Sequence, residues 1–103
     1  MESRVVRRMF LGFIHLHILH HAAQEPVYGA WLIDELARHG YALSAGTLYP
    51  VLHALVKDGL IAGENRTVDG KVRKYYAATD AGRDALARAR EKAYELFREV
   101  REP

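Results

Sequence analysis

The sequence contains no cysteine, one tryptophan and three prolines in 103 residues. Without cysteine the chain forms no disulfide, has no thiol nucleophile and holds no zinc–thiolate site. Its most apolar stretch, near the N-terminus, is interrupted by His15, His17, His20 and His21. This stretch is too polar for a membrane span and lacks the pattern of a signal peptide. We therefore expect a cytoplasmic protein with no membrane partner.

The composition is that of a single folded domain. Half of the residues are apolar and the net charge is +2, which excludes a disordered chain and favours an acidic partner. A chain of this length has a modest core, and oligomerisation is a common remedy for that. We therefore expect a surface that a second subunit covers.

Residues 43–61, LSAGTLYPVLHALVKDGLI, predict a helix with a signal at each end. Ser44 is a good N-cap, and Gly59 ends the helix because glycine adopts the left-handed conformation without strain. The positions that recur at helical spacing and predict a buried face are Leu48, Val51, Leu52, Leu55 and Val56. The opposite face, which is almost uncharged, carries Gly46, Thr47, Tyr49, Pro50 and His53. Such a front suits insertion into a DNA major groove, and it equally fits an ordinary amphipathic helix in a bundle.

Two further helices are predicted before this one. Residues 4–23 form the first, and its apolar residues fall into two stripes, Val6, Phe10, Phe13 and His17 in one and Leu11, Ile14, Ile18 and Ala22 in the other. A helix that is apolar on most sides must be buried on most sides, so one stripe is expected to face a second subunit. Residues 28–38 form the second helix, with Asp34 and Arg38 as an i, i+4 pair and Gly40 as its stop. Two helices joined by a short connection are typical of a helix-turn-helix.

A basic hairpin follows the third helix. Asp69-Gly70 lies between two extended runs, residues 60–68 and 71–78, and is a strong hairpin signal. The arms near this turn carry four cations, Arg66, Lys71, Arg73 and Lys74, against two carboxylates, Glu64 and Asp69. Three helices followed by a basic hairpin are the order of a winged helix. The fold class predicted is mainly α with a small β-hairpin, a winged helix-turn-helix plus a C-terminal dimerisation helix.

The last predicted helix begins after the cap Thr79 and runs to about residue 101. Its small and apolar residues recur as a heptad seam, Gly82, Leu86, Ala89, Ala93, Leu96 and Val100. We expect residues 1–79 to form the DNA-binding unit and residues 80–103 the dimerisation helix, within one compact domain. The alternative is that this helix folds back on its own domain. The dimer interface predicted comprises Val6, Phe10, Phe13, Leu86, Ala89, Ala93, Leu96, Phe97 and Val100.

Several motifs together resemble the PadR-like transcriptional regulators. They are Y-G at 28–29, G-T-L-Y-P at 46–50, D-G-L-I at 58–61 and V-R-K-Y-Y-A-A-T-x-A-G at 72–82. The resemblance covers about residues 9–86 and implies a dimeric winged helix-turn-helix repressor, with the first and last helices forming the dimer. The single terminal helix is similar to the smaller branch of the family. This chain has His53 and Ala54 where many members carry basic residues.

On this interpretation the partner is double-stranded DNA with a two-fold related operator. Phosphates are assigned to the four hairpin cations, with Ser44 and Tyr49 in support, and base contacts to Thr47 and Pro50. The full set of predicted DNA-binding residues is Ser44, Gly46, Thr47, Tyr49, Pro50, His53, Arg66, Lys71, Arg73 and Lys74. A ligand between the terminal helices would relieve repression by changing the spacing of the two recognition helices.

The histidine-rich run H-L-H-I-L-H-H offers a second kind of site. His17, His20 and His21 project from one side of the first helix, and neutral imidazoles one turn apart can share zinc, nickel or cadmium. Glu25 or a second subunit would complete such a site and make the protein metal-responsive. The alternatives are polar residues at a helix end, or a pH-sensitive interface. No cofactor is required by any motif.

Protein binding and enzymatic catalysis are the two other classes of function to compare with DNA binding. A winged helix that binds a protein instead of DNA would carry a neutral hairpin, whereas this hairpin is basic. An enzyme is not expected, because the sequence shows no phosphate-binding loop, no nucleophile elbow and no paired carboxylates. Ser44 and His53 are nine residues apart on one helix, too far for a proton relay.

Overall fold

The computed structural model describes residues 3–101, and in them the predicted winged helix-turn-helix is confirmed. The outermost residues of the two predicted units, 1–2 and 102–103, lie outside this range. The elements in chain order are α1 Arg4–Gln24, β1 Val27–Tyr28, α2 Gly29–Arg38, α3 Ala45–Lys57, β2 Ile61–Val68, β3 Lys71–Ala78 and α4 Asp80–Val100. Within this part of the chain, no helix has both the length and the apolar character needed to cross a membrane.

The sheet contains one strand that the sequence analysis missed. The strand order is β1-β3-β2, and all pairs are antiparallel. β1 has only two residues, and Val27 pairs with Tyr76. The chain enters β1 in an extended conformation, because Glu25 is extended, as predicted for a residue before proline. The hydrogen-bond partner in β3 then defines the strand, and no local pattern of two residues encodes that partner.

The hairpin turn is formed as predicted. Asp69 and Gly70 have φ angles of 52° and 78°, the positive values that a two-residue type I′ turn requires. Val68 pairs with Lys71 directly beside the turn. The wing, residues 61–78, therefore projects as a regular two-stranded ribbon.

The core lies where α1, α2, α3 and the base of the sheet meet. Of the two predicted stripes on α1, the one with Ile14 and Ile18 is buried. The largest side chains below 2% exposure are Ile18, Leu32, Leu36, Leu48, Leu52 and Ile61. Val56 was predicted in this core and is 40% exposed. That prediction is wrong because Val56 lines the open cleft between α3 and the sheet and so remains accessible to solvent.

The start of α4 is held tightly against the end of α3. Thr79 caps α4 as predicted, accepting from the Gly82 N–H at 3.0 Å, and its own N–H donates to the Leu60 carbonyl at 3.1 Å. The Thr79 hydroxyl donates to the Gly59 carbonyl. A Cβ added at Gly82 would collide with the Leu60 carbonyl, so only glycine permits this close approach.

The second half of α4 extends away from the core. Every described residue from 91 onward is exposed. The radius of gyration is 14.7 Å, whereas a compact domain of this size has about 13 Å. The helix therefore leaves an uncovered surface in the single chain.

We predict that Gly82→Ala destabilises the protein by about 1–3 kcal/mol, because the new methyl group must displace the backbone of Leu60. The measurement is the free energy of unfolding in urea. Gly12→Ala is the matched control, since nothing lies within 4 Å of a Cβ at this exposed position in the middle of α1. The control is expected to gain roughly 0.5–1 kcal/mol from the higher helix propensity of alanine. Equal unfolding midpoints for Gly82→Ala and the wild type would contradict the close approach.

Candidate nucleic-acid interface

The front of α3 is exposed along its whole length. The apolar back of the helix, including Leu48 and Leu52, is buried. The predicted site residues on this helix and its cap are all exposed, namely Ser44, Gly46, Thr47, Tyr49, Pro50 and His53. Lys57 was not among the predicted site residues, but it is also exposed and follows His53 by one helical turn. Its i, i+4 spacing from His53 is the signal that could have identified it.

The N-terminal end of α3 is defined by its cap. The Ser44 hydroxyl accepts from the Thr47 N–H at 3.3 Å and lies 3.3 Å from the Thr47 hydroxyl. Both residues are exposed. The free N–H groups of a helix start carry partial positive charge, which favours an anion such as a phosphate. The cap therefore places two hydroxyl groups and a positive helix end on the same surface.

Tyr49 and Pro50 have different surroundings on this front. Tyr49 is 39% exposed, and its hydroxyl lies so close to Gly29 that a Cβ there would collide with it. The Tyr49 ring therefore spans the start of α2 and links the two helices of the helix-turn-helix. Pro50 lies within α3 and is exposed. Because proline has no N–H, the Gly46 carbonyl receives no hydrogen bond from residue 50.

The cations of the wing do not form one patch. Arg66 pairs with Arg73 in the ladder and Val68 with Lys71, so Arg66, Arg73 and Lys71 point to one face. Lys74 is opposite Asn65 and points to the other face. All four cations were predicted to contact phosphates together, because alternation along a strand does not show which face meets α3.

Two of these wing cations already have partners within the chain. Arg66 donates to Glu64 at 2.7 and 2.9 Å and lies 5.1 Å from the centre of the Tyr75 ring. The Arg73 guanidinium lies 4.5 Å from the centre of the Tyr28 ring, a cation–π distance. These contacts orient both side chains and reduce the positive charge that Arg66 presents to solvent.

Lys74 lies beside the C-terminal half of α3. It lines a cleft of about 240 Å³ together with His53, Val56, Lys57, Gly63 and Tyr76. Two lysines from different elements, Lys57 and Lys74, thus border the recognition helix on this side. Burial of Tyr76 beneath them raises the pKa of its hydroxyl, so that group stays neutral.

Arginines of α1 border the other end of α3. Arg4, Arg7 and Arg8 line a cleft of about 860 Å³ that also contains Thr47 and Pro50. These arginines were not among the predicted site residues, because they are about 40 positions away from α3 along the chain. Positive charge therefore flanks the uncharged front of α3 on both sides.

Seven of the nine predicted interface residues on α1 and α4 are exposed. Phe13 is 48% exposed and Phe97 is 57% exposed. The same holds for Val6, Phe10, Ala93, Leu96 and Val100, and Ala89 is half-buried. Leu86 differs, because it is 7% exposed and belongs to the core of its own chain.

The three histidines predicted as metal ligands are not the three that come together. Ligand atoms of His17, His21 and His39 lie within 4.8 Å of one another, and His20 is not in this group. His39, at the end of α2, was missed because no local spacing relates it to α1. Nearby, Arg38 pairs with Glu35 at 3.2 Å instead of the predicted Asp34.

Comparisons with known proteins agree with this geometry. The model of the transcriptional regulator PadR-like family matches residues 18–88. The transcriptional regulator Rv3488 of Mycobacterium tuberculosis is 59% identical over 87 residues, which cover 84% of this chain and 81% of that protein.

Solved structures give the same result. A PadR-like transcriptional regulator of Bacillus cereus has a TM-score of 0.85 and 33% identity, covering 91% of this chain and 93% of that one. A PadR-like transcription factor of Bacteroides fragilis has a TM-score of 0.81 and 30% identity, covering 96% and 97%. On the strength of the family match and of these relatives, this chain belongs to the PadR-like family of DNA-binding transcriptional regulators.

Proposed function

We propose that the protein is a dimeric repressor of transcription that binds a two-fold related operator and releases it when an effector binds. The observation that supports this most strongly is α3, a helix with a buried apolar back and an exposed, uncharged front between two basic borders. Affinity for DNA comes largely from neutralised phosphates, and specificity comes from base edges. This helix offers both kinds of contact.

In the proposed complex the front of α3 enters the major groove. Thr47 and Pro50 meet base edges, where a thymine methyl is a natural apolar partner, and His53 donates to a base or a phosphate. Lys57 and Lys74 contact the phosphates on one side of the groove. The arginines of α1 contact those on the other side, and the wing cations Arg66, Lys71 and Arg73 contact the backbone beyond it.

The dimer is supported by the apolar surface that the single chain leaves uncovered. Phe13 on α1 and Phe97 on α4 are both about half exposed, and large exposed apolar patches mark interfaces. Ala89 and Ala93 belong to the heptad seam of α4, and their small side chains let another helix approach closely. Covering these residues with α1 and α4 of a second copy would pair the two recognition helices about a two-fold axis.

The effector is expected to bind between the terminal helices. A groove of about 540 Å³ lies between α1 and α4, lined mainly by apolar and aromatic residues, and its volume is in the range of small-molecule sites. Phe13, Tyr94 and Phe97 are among its lining residues. A ligand here would change the angle of α4 and with it the distance between the two recognition helices.

The test is selection of genomic fragments by the purified protein, followed by footprinting of the selected site. We expect two half-sites in inverted orientation whose centres are about 34 Å apart, or a multiple of that distance. A single protected half-site would contradict the dimeric arrangement. Binding with no sequence preference that disappears as salt is raised would contradict a specific regulator.

We predict that Lys74→Ala weakens binding to specific and random DNA alike, because a phosphate contact carries no sequence information. The slope of log Kd against log salt concentration should become shallower by about 1. Arg88→Ala is the matched control, since it removes one exposed cation from α4, away from α3. If both variants showed the same salt dependence, Lys74 would not contact a phosphate.

We predict that Phe97→Glu converts the dimer to a monomer, because a carboxylate in the apolar interface beside the seam of α4 would be desolvated without a partner. Sedimentation equilibrium gives the mass directly. The control Arg88→Glu places the same carboxylate on the same helix outside the seam and should remain dimeric. A dimeric Phe97→Glu variant would show that α4 pairs through another face.

A further inference from the structure

Three imidazoles meet at the joint between α1 and α2. His17 and His21 are one turn apart on α1, and their rings are stacked with centroids 6.3 Å apart. The ring of His39, which follows the last residue of α2, lies 4.5 Å from that of His17. One ligand atom from each of the three lies within 4.8 Å of the others. Such a group of nitrogen ligands is the arrangement that a transition metal requires.

A carboxylate supports this group from α2. Glu35 Oε2 accepts a hydrogen bond from His39 Nε2 at 3.0 Å and lies 3.4 Å from His21 Nε2. In metal sites a carboxylate commonly holds one ring nitrogen of a histidine so that the other faces the ion. Glu35 holds Nε2 of His39 in this way, which leaves Nδ1 of that ring for the ion.

One atom of this cluster makes no hydrogen bond although a carboxylate lies near it. His21 Nε2 is buried and lies 3.4 Å from Glu35 Oε2, but no hydrogen bond to it forms within the described part of the chain. A buried polar atom without a partner costs free energy, and few such atoms occur in folded proteins. A neutral imidazole can bind a metal through the lone pair of one ring nitrogen.

We propose that His17, His21 and His39 bind one divalent transition-metal ion of the zinc, nickel or cadmium class, with Glu35 positioning the imidazoles and balancing charge. The site modifies the expectation from sequence, because His39 replaces His20 and Glu35 replaces Glu25. Around zinc the ligand nitrogens are roughly 3.4 Å apart. Ligand atoms that are 4.8 Å apart therefore need to approach by about 1.4 Å, which a change of side-chain rotamer provides. Magnesium and calcium are not expected, since they prefer oxygen ligands.

The site lies where it would act on the recognition helix. His39 is followed by Gly40 and Tyr41 in the connection to α3, and the His17 ring lies 5.6 Å from that of Tyr41. His17 also lines the groove between α1 and α4. An ion bound here would fasten the helix-turn-helix to the helix that carries the proposed dimer surface. This regulatory link rests on the proposed function, in which an effector binds the DNA-free form more tightly.

Metal binding is tested first without DNA, using protein that has no histidine tag. Trp31 is the only tryptophan, and its ring lies 5.2 Å from that of His21. Micromolar Ni²⁺ should therefore quench the fluorescence of Trp31, and calorimetry should count one Zn²⁺ per chain. Mg²⁺ should give neither signal. No heat and no quenching at micromolar metal would overturn the site.

Matched histidine variants then identify the ligands. His39→Gln should abolish both signals, and because His39 is exposed at a helix end the variant is expected to fold. His20→Gln, on the same helix as two of the ligands, should bind metal as the wild type does. Glu35→Gln should weaken binding by about 10–100-fold. Equal metal affinities for His39→Gln and His20→Gln would overturn the assignment, and circular dichroism verifies the fold of each variant.

The regulatory link is tested on the selected operator. Zn²⁺ should raise the Kd for DNA at least fivefold in the wild type and in His20→Gln, with no change in His39→Gln. Tight DNA binding that is indifferent to Zn²⁺ would overturn the link and leave the proposed repressor intact. A protein that binds Zn²⁺ and no specific DNA would instead refute the proposed function and leave the metal site standing.

Discussion

Burial of one side of α3 is the constraint on which the candidate DNA surface depends. Leu48 and Leu52 are completely buried, and each such side chain contributes about 1.5–3 kcal/mol to stability. Because side chains on a helix keep a constant angular spacing, holding this side in the core directs Pro50 and His53 outward. Ser44 sets where the helix begins, and Tyr49 over Gly29 sets its angle to α2. The recognition surface is therefore a consequence of core packing.

The distribution of charge follows from that placement. Net charge is only +2, so attraction for an acidic partner depends on where the cations lie. Lys74 and Lys57 border one end of α3, whereas Arg7 borders the other. Arg66, bound to Glu64, contributes less to this field. In the proposed complex, an uncharged helix face between positive borders would separate base contacts from phosphate contacts, the division of roles that sequence-specific binding to DNA needs.

The first helix has a different role on each of its sides. Ile14 and Ile18 belong to the core, and Phe13 lies on the uncovered apolar surface proposed for dimerisation. His17 and His21 form the joint with α2. A single rigid helix therefore connects the core, the dimer surface and the proposed metal site. A shift of α1 at one of these places would therefore also move the other two, because packed helices shift as units and do not bend freely.

The sequence by itself determined the features that depend on neighbours along the chain. The caps Ser44 and Thr79 and the turn Asp69-Gly70 are set by hydrogen bonds and dihedral preferences within a few residues. Periodicity likewise predicted which stripe of each helix is apolar, but not what covers it. Only the tertiary structure decided the exposure of Val56, the separation of Lys74 from the other wing cations and the meeting of His39 with α1. These features depend on contacts between residues far apart in the chain, and such contacts form only when the elements pack.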